Sequence, residues 1–431
     1  MTALTVLGST GSIGVSTLDV VRRLASQYRI FSLVAGNNSP RMAEQVREFG
    51  PQLVVLETES ARANLIQKLE ESGFERSRWP QMEFGAEARV MAATAAEAGF
   101  VMSAIVGVSG LEATYAAVLA GKKIGLANKE VLVASGQLVM EAARERNVEM
   151  IPVDSEHNGA HQALRAGRRT EVKRLILTAS GGPFRKTPRE DLAGVTPAQA
   201  LNHPTWKMGP RITIDSATMM NKGFEVIEAC WLFDFAPSDV DVVIHPQSSV
   251  HAMVEYKDGS VLAQISTTDM RMPIQYALTW PDRLEALVPR MDWTEARTME
   301  FYPPDLDKFP LLAQAYQAQR TGGSATCTLN AADEIAVEAF LEERISYPEI
   351  YAVVAETLAR VPAQEASSIG EVLEIDRRSR AAASDVVRSR SRTVTAAQPA
   401  GSPQRAVTAL DTLEQLPASS PGQAPFCGPL V

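Results

Sequence analysis

A short apolar run, Leu4–Leu7, leads directly into Gly8-Ser9-Thr10-Gly11-Ser12-Ile13-Gly14, and helical spacing follows from about Ser16, with Leu18, Val21 and Leu24 at i, i+3 and i+6. No other feature of the chain narrows its fold as much. Glycine at every third position lets the backbone turn tightly and approach a pyrophosphate, while the helix start presents free N–H groups to it. The spacing is G-x-x-G-x-x-G rather than G-x-G-x-x-G, a variant fingerprint in the context the motif requires. A glycine-rich strand-to-helix turn with no ligand is the alternative. Further β-branched runs at Ile30–Val34, Leu53–Leu56, Val101–Val106 and Ile124–Ala127 alternate with helical stretches. Short apolar strands without strict alternation, separated by helices, predict a parallel sheet covered on both faces. Residues 1–150 are expected to form a Rossmann-like, doubly wound α/β unit.

The second of these strands ends at Ala35-Gly36-Asn37-Asn38. Folds of this kind that prefer NAD usually carry Asp or Glu there to bind the ribose 2′-hydroxyl. None is present, and Asn37, Asn38 and nearby Arg41 are of the kind that accepts a 2′-phosphate, which predicts NADPH rather than NADH.

From about Met150 the pattern changes. Leu175–Leu177 reads as a buried strand, and Val250–Tyr256 and Val261–Ser266 flank Lys257-Asp258-Gly259-Ser260, a hairpin signal. An α+β unit is expected over 151–285 and a linker over 286–305. Helical spacing in Ala331–Glu343 and Tyr347–Arg360 predicts a C-terminal helical bundle over 306–390. Residues 391–431 hold six prolines and few apolar residues, too few to offset ordering entropy, and are expected to be a disordered tail. The basic stretch Arg388-Ser389-Arg390-Ser391-Arg392 reads as a solvated linker.

Composition limits the partners. Lys plus Arg is 42 and Asp plus Glu 51, a net charge of −9. Such a chain lacks the field that draws proteins to nucleic acid or anionic lipid, so no nucleic-acid partner is expected and any anionic ligand needs a local site. No apolar run reaches the roughly 18 residues that spanning a bilayer takes, so no membrane role is expected. Cys230, Cys327 and Cys427 lie far apart without CxxC spacing, which argues against a thiolate zinc site and fits a reducing compartment. The N-terminus shows no basic leader, and a cytoplasmic protein, or one given without its targeting leader, is expected.

Two polar constellations carry chemistry. Met150-Ile151-Pro152-Val153 reads as a strand, and Asp154-Ser155-Glu156-His157-Asn158 follows it. Carboxylates at i and i+2 of an extended segment point to one side, and like charges held together call for a cation such as Mg²⁺ or Mn²⁺. A solvated loop or a helix N-terminal charge pair is the alternative. The second constellation is Asp215-Ser216-Ala217-Thr218-Met219-Met220-Asn221-Lys222-Gly223-Phe224-Glu225. Helical register from about Ala217 would set Asn221 and Glu225 on one face with Lys222 adjoining, although an ordinary surface ion pair has the same spacing. Ser, Asn and Lys beside Ser180-Gly181-Gly182 are residue types that bind phosphate. Leu126-Ala127-Asn128-Lys129-Glu130 ends another β-run, His203–Gly209 has the character of a mobile loop, and His245 reads as a satisfied structural histidine.

In this order, GSTGSIG (Gly8–Gly14), LANKE (Leu126–Glu130), DSEHN (Asp154–Asn158), SGGPF (Ser180–Phe184), HPTWKMG (His203–Gly209), DSATMMNKGFE (Asp215–Glu225), HPQS (His245–Ser248) and DGSVLAQ (Asp258–Gln264) resemble the 1-deoxy-D-xylulose 5-phosphate reductoisomerase family. The resemblance covers roughly residues 1–388. It implies a homodimer that uses NADPH and a divalent metal (Mn²⁺, Mg²⁺ or Co²⁺) to convert the sugar phosphate 1-deoxy-D-xylulose 5-phosphate to 2-C-methyl-D-erythritol 4-phosphate, in non-mevalonate isoprenoid synthesis. It implies metal ligands Asp154, Glu156 and Glu225, and a catalytic set of these with Lys129 and His203. Substrate contacts would be Lys129, Ser155, Glu156, Ser180, His203, Ser216, Asn221, Lys222 and Glu225. NADPH would meet Thr10, Gly11, Ser12, Ile13, Gly36, Asn37, Asn38, Asn128, Glu130 and Gly209, and Trp206 would belong to a flap over the substrate. Family members often carry a basic residue where Asn37 stands, which shifts weight to Arg41, and the tail has no counterpart. A related NADP-dependent sugar-phosphate reductase and a catalytically silent NADPH-binding homologue are the rival readings.

Overall fold

The computed structural model describes residues 1–396, of which 391–396 by backbone alone. Seven parallel strands form the first sheet: β1 (Thr2–Leu7), β2 (Tyr28–Val34), β3 (Leu53–Leu56), β4 (Gln81–Phe84), β5 (Phe100–Ser103), β6 (Lys123–Leu126) and β7 (Met150–Pro152). Their order is β4-β3-β2-β1-β5-β6-β7. Every residue of β3 and β5 is buried, as expected for strands covered by helices on both faces. β4 was not anticipated, because an edge strand with half-exposed Gln81, Met82, Glu83 and Phe84 has no apolar run to betray it. β5 stops at Ser103 rather than at the expected Val106, since Ala104–Val106 turns away to cover the loop after β1.

The second sheet has the order β11-β10-β8-β9, built from β8 (Val172–Ala179), β9 (Val240–Ile244), β10 (Val250–Tyr256) and β11 (Val261–Ile265). β10 and β11 form the expected antiparallel hairpin, with Gly259 at φ +88° in its turn, whereas β8 and β9 pair in parallel.

The units are less separate than the sequence pattern implies. β7 spans the expected boundary at 150 and closes the first sheet. The helix Arg271–Thr279 also returns to that sheet: Ile274, Tyr276, Ala277 and Leu278 share a core with Leu4, Val6 and Leu33. In turn, the second sheet and the C-terminal helices share one core, in which Leu175, Phe224 and Val254 pack with Leu329, Phe340 and Val386. The last helix, Ile369–Ala396, continues beyond the expected limit at 390. Arg390 reaches Glu356 at 2.8 Å on the neighbouring helix Tyr347–Arg360, so the basic stretch is helical here rather than a linker. The remainder of the expected tail, 397–431, lies outside the described residues.

Candidate active site

The first sheet reverses its strand order between β1 and β5, where open α/β sheets bind ligands at the carboxyl ends of their strands. Gly8 sits there at φ +89°, and a Cβ on it would lie 2.3 Å from the Ala104 carbonyl oxygen. A Cβ on Gly14 would be equally close to the Gly8 oxygen, so the following helix can pack onto the turn only as glycine. That helix begins at Ser12, earlier than the expected Ser16, with Gly11 as an N-cap that makes no side-chain bond. The first-turn N–H groups are therefore free for an anion.

A cavity of about 700 Å³ runs from this turn to the second unit. Gly11, Ser12, Ile13, Asn128, Glu130 and Gly209 line its first half, and Lys129, Asp154, Ser155, Glu156, Ser180, Ser216, Asn221, Lys222 and Glu225 its second. Thr10, Gly36, Asn37, Asn38 and His203 are not among its lining residues. Asn38 caps the helix Ser39–Phe49 by accepting the Arg41 N–H at 3.2 Å, and Asn37 accepts the Thr58 hydroxyl at 3.3 Å, so both amide oxygens have local partners. Arg41 is exposed and its guanidinium reaches the Thr10 carbonyl at 3.4 Å, beside the glycine turn. Asn128 is 2% exposed and donates to the Gly107 carbonyl at 3.0 Å.

The acidic residues converge by a different local geometry from the extended one expected. Asp154 is the N-cap of the helix Ser155–Ala163 and Glu156 stands in its first turn, so a helix start presents the pair. The second constellation is likewise broken, with Pro210–Thr218 and Met220–Phe233 as separate helices joined by Met219 at φ +64°. The expected i, i+4 relation survives, and Asn221 donates to Glu225 at 2.6 Å. Asp154, Glu156 and Glu225 each present an oxygen within 4.8 Å of the others. Lys129 lies 2.6 Å from Asp154, 3.4 Å from Glu225 and 2.7 Å from the Asn221 amide oxygen. Lys222 pairs with Glu225 and lies 3.7 Å from Glu156.

Three carboxylates against two ammonium groups leave the buried cluster short of positive charge. Burial, with Glu225 and Asp154 adding, outweighs the nearby Lys222 and pushes Glu156 up to about 7. Burial also opposes ionisation of Asp154, but Lys129 and His157 overcome it and hold this carboxyl well below its usual range. Beneath lies His157, fully buried, with one ring nitrogen 3.1 Å from Glu228 and the other 2.8 Å from the Glu225 carbonyl. Burial lowers its pKa, yet the Glu228 carboxylate raises it to a net of about 9, so the ring pairs with Glu228 by charge while Nε2 donates to the Glu225 carbonyl and steadies that turn of helix. An all-oxygen donor set, short of positive charge and backed by such bonds, fits a hard divalent cation.

His203 stands one bond behind the cleft wall. Its Nδ1 accepts the Thr205 and Trp206 N–H groups at 3.1 and 2.9 Å, which leaves Nε2 to donate to the Ser180 hydroxyl at 2.9 Å. This ring fixes the start of the loop Thr205–Gly209, whose residues all line the cavity. His245 is satisfied structurally, bonded to the Glu300 carbonyl at 2.9 Å and stacked on Phe301.

Comparison with known proteins identifies the family. The profile described as 1-deoxy-D-xylulose 5-phosphate reductoisomerase matches residues 4–136, the profile of its C-terminal domain matches 150–233, and one described as DXP reductoisomerase C-terminal domain matches 265–382. A 1-deoxy-D-xylulose 5-phosphate reductoisomerase of Solibacter usitatus is 64% identical over 92% of this chain and 100% of its own length. The chain belongs to the 1-deoxy-D-xylulose 5-phosphate reductoisomerase family. Another reductoisomerase, from Prosthecochloris aestuarii, is 48% identical over 88% of this chain and 97% of its own. Among solved structures, the Zymomonas mobilis reductoisomerase in complex with NADPH has TM-score 0.83 and 41% identity, covering 90% of this chain and 99% of that one. A DOX-P reductoisomerase in complex with NADPH, fosmidomycin and magnesium has TM-score 0.84 and 39% identity, covering 90% and 98%.

The sequence reading of the reductoisomerase site passed over Arg211 and the Thr268–Met270 turn and gave Asp215 no role of its own, although all of them line the cavity. Arg211 could have been noticed as a lone cation between Gly209-Pro210 and the apolar Ile212 and Ile214. The Thr268–Met270 turn carries no signal beyond following β11.

Proposed function

We propose that this cleft is where the chain performs its family's reaction, and that Asp154, Glu156 and Glu225 hold the divalent cation. The chain is an NADPH-dependent oxidoreductase that rearranges and reduces 1-deoxy-D-xylulose 5-phosphate to 2-C-methyl-D-erythritol 4-phosphate in non-mevalonate isoprenoid synthesis. One observation carries the site assignment: three carboxylates within 4.8 Å of one another, Glu225 buried and Asp154 and Glu156 partly so, share a single cavity with the Gly8–Gly14 turn. When bound, Mg²⁺, Mn²⁺ or Co²⁺ supplies Lewis-acid polarisation and chelates neighbouring oxygens of the ketose.

The chain's own groups do the rest. The N–H groups of Ser12 and Ile13 hold the cofactor pyrophosphate, and Arg41 beside Thr10 receives the 2′-phosphate, with Gly36, Asn37 and Asn38 flanking the adenosine end. Asn128, Glu130 and Gly209 border the nicotinamide end. Ser180, Ser216, Asn221 and Lys222 bind the substrate phosphate, and binding there drives the Trp206 loop down to exclude water. The ammonium of Lys129, kept charged by Asp154 and Glu225 despite its burial, faces the reacting oxygens with Ser155. His203 acts through Ser180, orienting its hydroxyl.

The assay that tests this follows NADPH absorbance with 1-deoxy-D-xylulose 5-phosphate, in Mg²⁺ or Mn²⁺ and then in excess EDTA. Decay that EDTA abolishes and metal restores is expected. No decay from folded chain that binds NADPH would overturn it.

A homodimer is part of the same proposal. β11 forms an outer edge of the second sheet, with Val261 48% and Leu262 40% exposed, and an open edge of this kind pairs readily with a second copy. Light scattering should give twice the chain mass, and Leu262→Lys should reduce it. Buried Cys230 and Cys327 carry free thiols, as a reducing compartment favours, and we assign the reaction to the cytoplasm. No helix among the described residues is long and apolar enough to cross a membrane.

A further inference from the structure

The Thr205–Gly209 loop ends where Pro210 opens a helix, and the next residue is Arg211. Its guanidinium joins three parts of the molecule. It donates to Glu130 at 2.8 Å, at the start of the helix Glu130–Glu145 on the cofactor side. It also donates to Glu334 at 2.9 Å and to Asn330 at 2.9 Å, both on the helix Ala325–Leu341 of the C-terminal bundle. Glu334 is the second centre of this network. Its other oxygen accepts Arg380 of the last helix at 2.8 Å, and Arg380 is itself held by Asp376 at 2.6 Å. A Cβ on Gly107 would lie 3.4 Å from Glu334, so the carboxylate also abuts the turn after β5, whose Ala104–Val106 segment lines the cavity. Glu334 itself does not line the cavity.

We propose that Glu334 is a positioning residue for the flap: by fixing Arg211 against Glu130 it sets where Thr205–Gly209 closes over the cleft, and so couples the C-terminal bundle to substrate binding. The inference rests on the reductoisomerase reading of the cleft and adds a role for a unit that supplies no group to the metal or phosphate. Charge-assisted bonds from Nη1 to two carboxylates, with Nη2 held by Asn330, orient the guanidinium more tightly than a lone contact would, and a flap can close reproducibly only from a fixed end. The loop's other end is already tied through His203 to Ser180. Loss of the Glu334 charge leaves Arg211 held by Glu130, Asn330 and the more distant Asp215 at 3.7 Å, and a mispositioned flap weakens ground state and transition state alike, which appears in KM rather than kcat.

The test compares the full-length chain with Glu334→Gln, Glu334→Asp and a control, Glu356→Gln, which removes the carboxylate that ties Arg390 and Arg360 elsewhere in the same bundle. Glu334→Gln should raise KM for 1-deoxy-D-xylulose 5-phosphate by about tenfold with kcat nearly kept, the scale of a modest coupling energy. Glu334→Asp, which keeps the charge, should recover most of it, and Glu356→Gln should leave KM unchanged. The second readout needs no turnover: trypsin cutting after Lys207, on the loop itself, should be several-fold faster in Glu334→Gln than in the parent without ligand. KM within twofold of the parent together with unaltered cutting, or the same changes in Glu356→Gln, would overturn the proposal. A parent chain that fails to oxidise NADPH would sink the functional reading, while the Lys207 comparison still decides the positioning role.

Discussion

Asp154, Glu156 and Glu225 form a set because each is at least partly buried and given a neighbour of the same sign. On the proposed cation site, Asp154→Asn and Glu225→Gln should each lower turnover by at least about a hundredfold, since each would remove a metal ligand outright. NADPH affinity should stay near the parent's, because the glycine turn shares no bond with them. Steady-state kinetics and NADPH fluorescence titration check both halves, and near-parental turnover at limiting metal would remove the residue from the cation site. His161 gives a pH prediction away from the cluster. It is packed between Tyr276 and Trp280, and burial, with Arg165 adding, pushes it from 6.5 down to about 4. Between those values the unfolded chain binds the extra proton and the folded chain does not, so stability is full above pH 6.5 and falls as pH drops toward 4. His161→Gln should lose less thermal midpoint between pH 7 and pH 5 than the parent. The carboxylates, lysines and glycines of the site were legible because their chemistry is written in residue type and spacing. Glu228, Arg211 and Glu334 were not, since each gains its meaning only from a partner more than 60 residues distant in sequence.

Local geometry was harder to read than composition. Asp154 and Glu156 were expected on an extended segment, yet Asp154 stands at the N-cap position of a helix, because an Asp just past a strand suits a helix start as well as a strand end. The break at Met219 was invisible, since methionine is an ordinary helix former and its left-handed backbone is imposed by the tertiary structure. That element supports a sharp expectation. Met219→Gly would relieve about 1 kcal/mol of left-handed strain but delete a side chain that is 2% exposed, a loss of about 2–5 kcal/mol. Net destabilisation should appear as a lower melting midpoint, and a midpoint at or above the parent's would show that the strain dominates. The strands of the first sheet were legible through their unbroken apolar runs, and β4 was missed because an edge strand needs none.

At the scale of the molecule, the order of units was readable but their independence was not. Residue spacing says nothing about which core a helix joins, and both Arg271–Thr279 and the C-terminal helices cross the limits drawn from sequence. Among the described residues, the cavity and the shared cores extend no further than Val387. A chain ended at Ala396 should thus keep its kcat, KM and melting midpoint, and loss of any of them would give the final residues a role. The return of Arg271–Thr279 to the first sheet bears on how the chain is made. Ribosomal synthesis ordinarily lets an N-terminal domain fold before the next is finished. Here Leu4, Val6 and Leu33 wait for Ile274 and Leu278, so the nucleotide-binding half remains incomplete until nearly 280 residues have left the exit tunnel. During that interval the nascent chain carries an open apolar seam, and exposed apolar surface of that kind is prone to aggregate until the helix arrives.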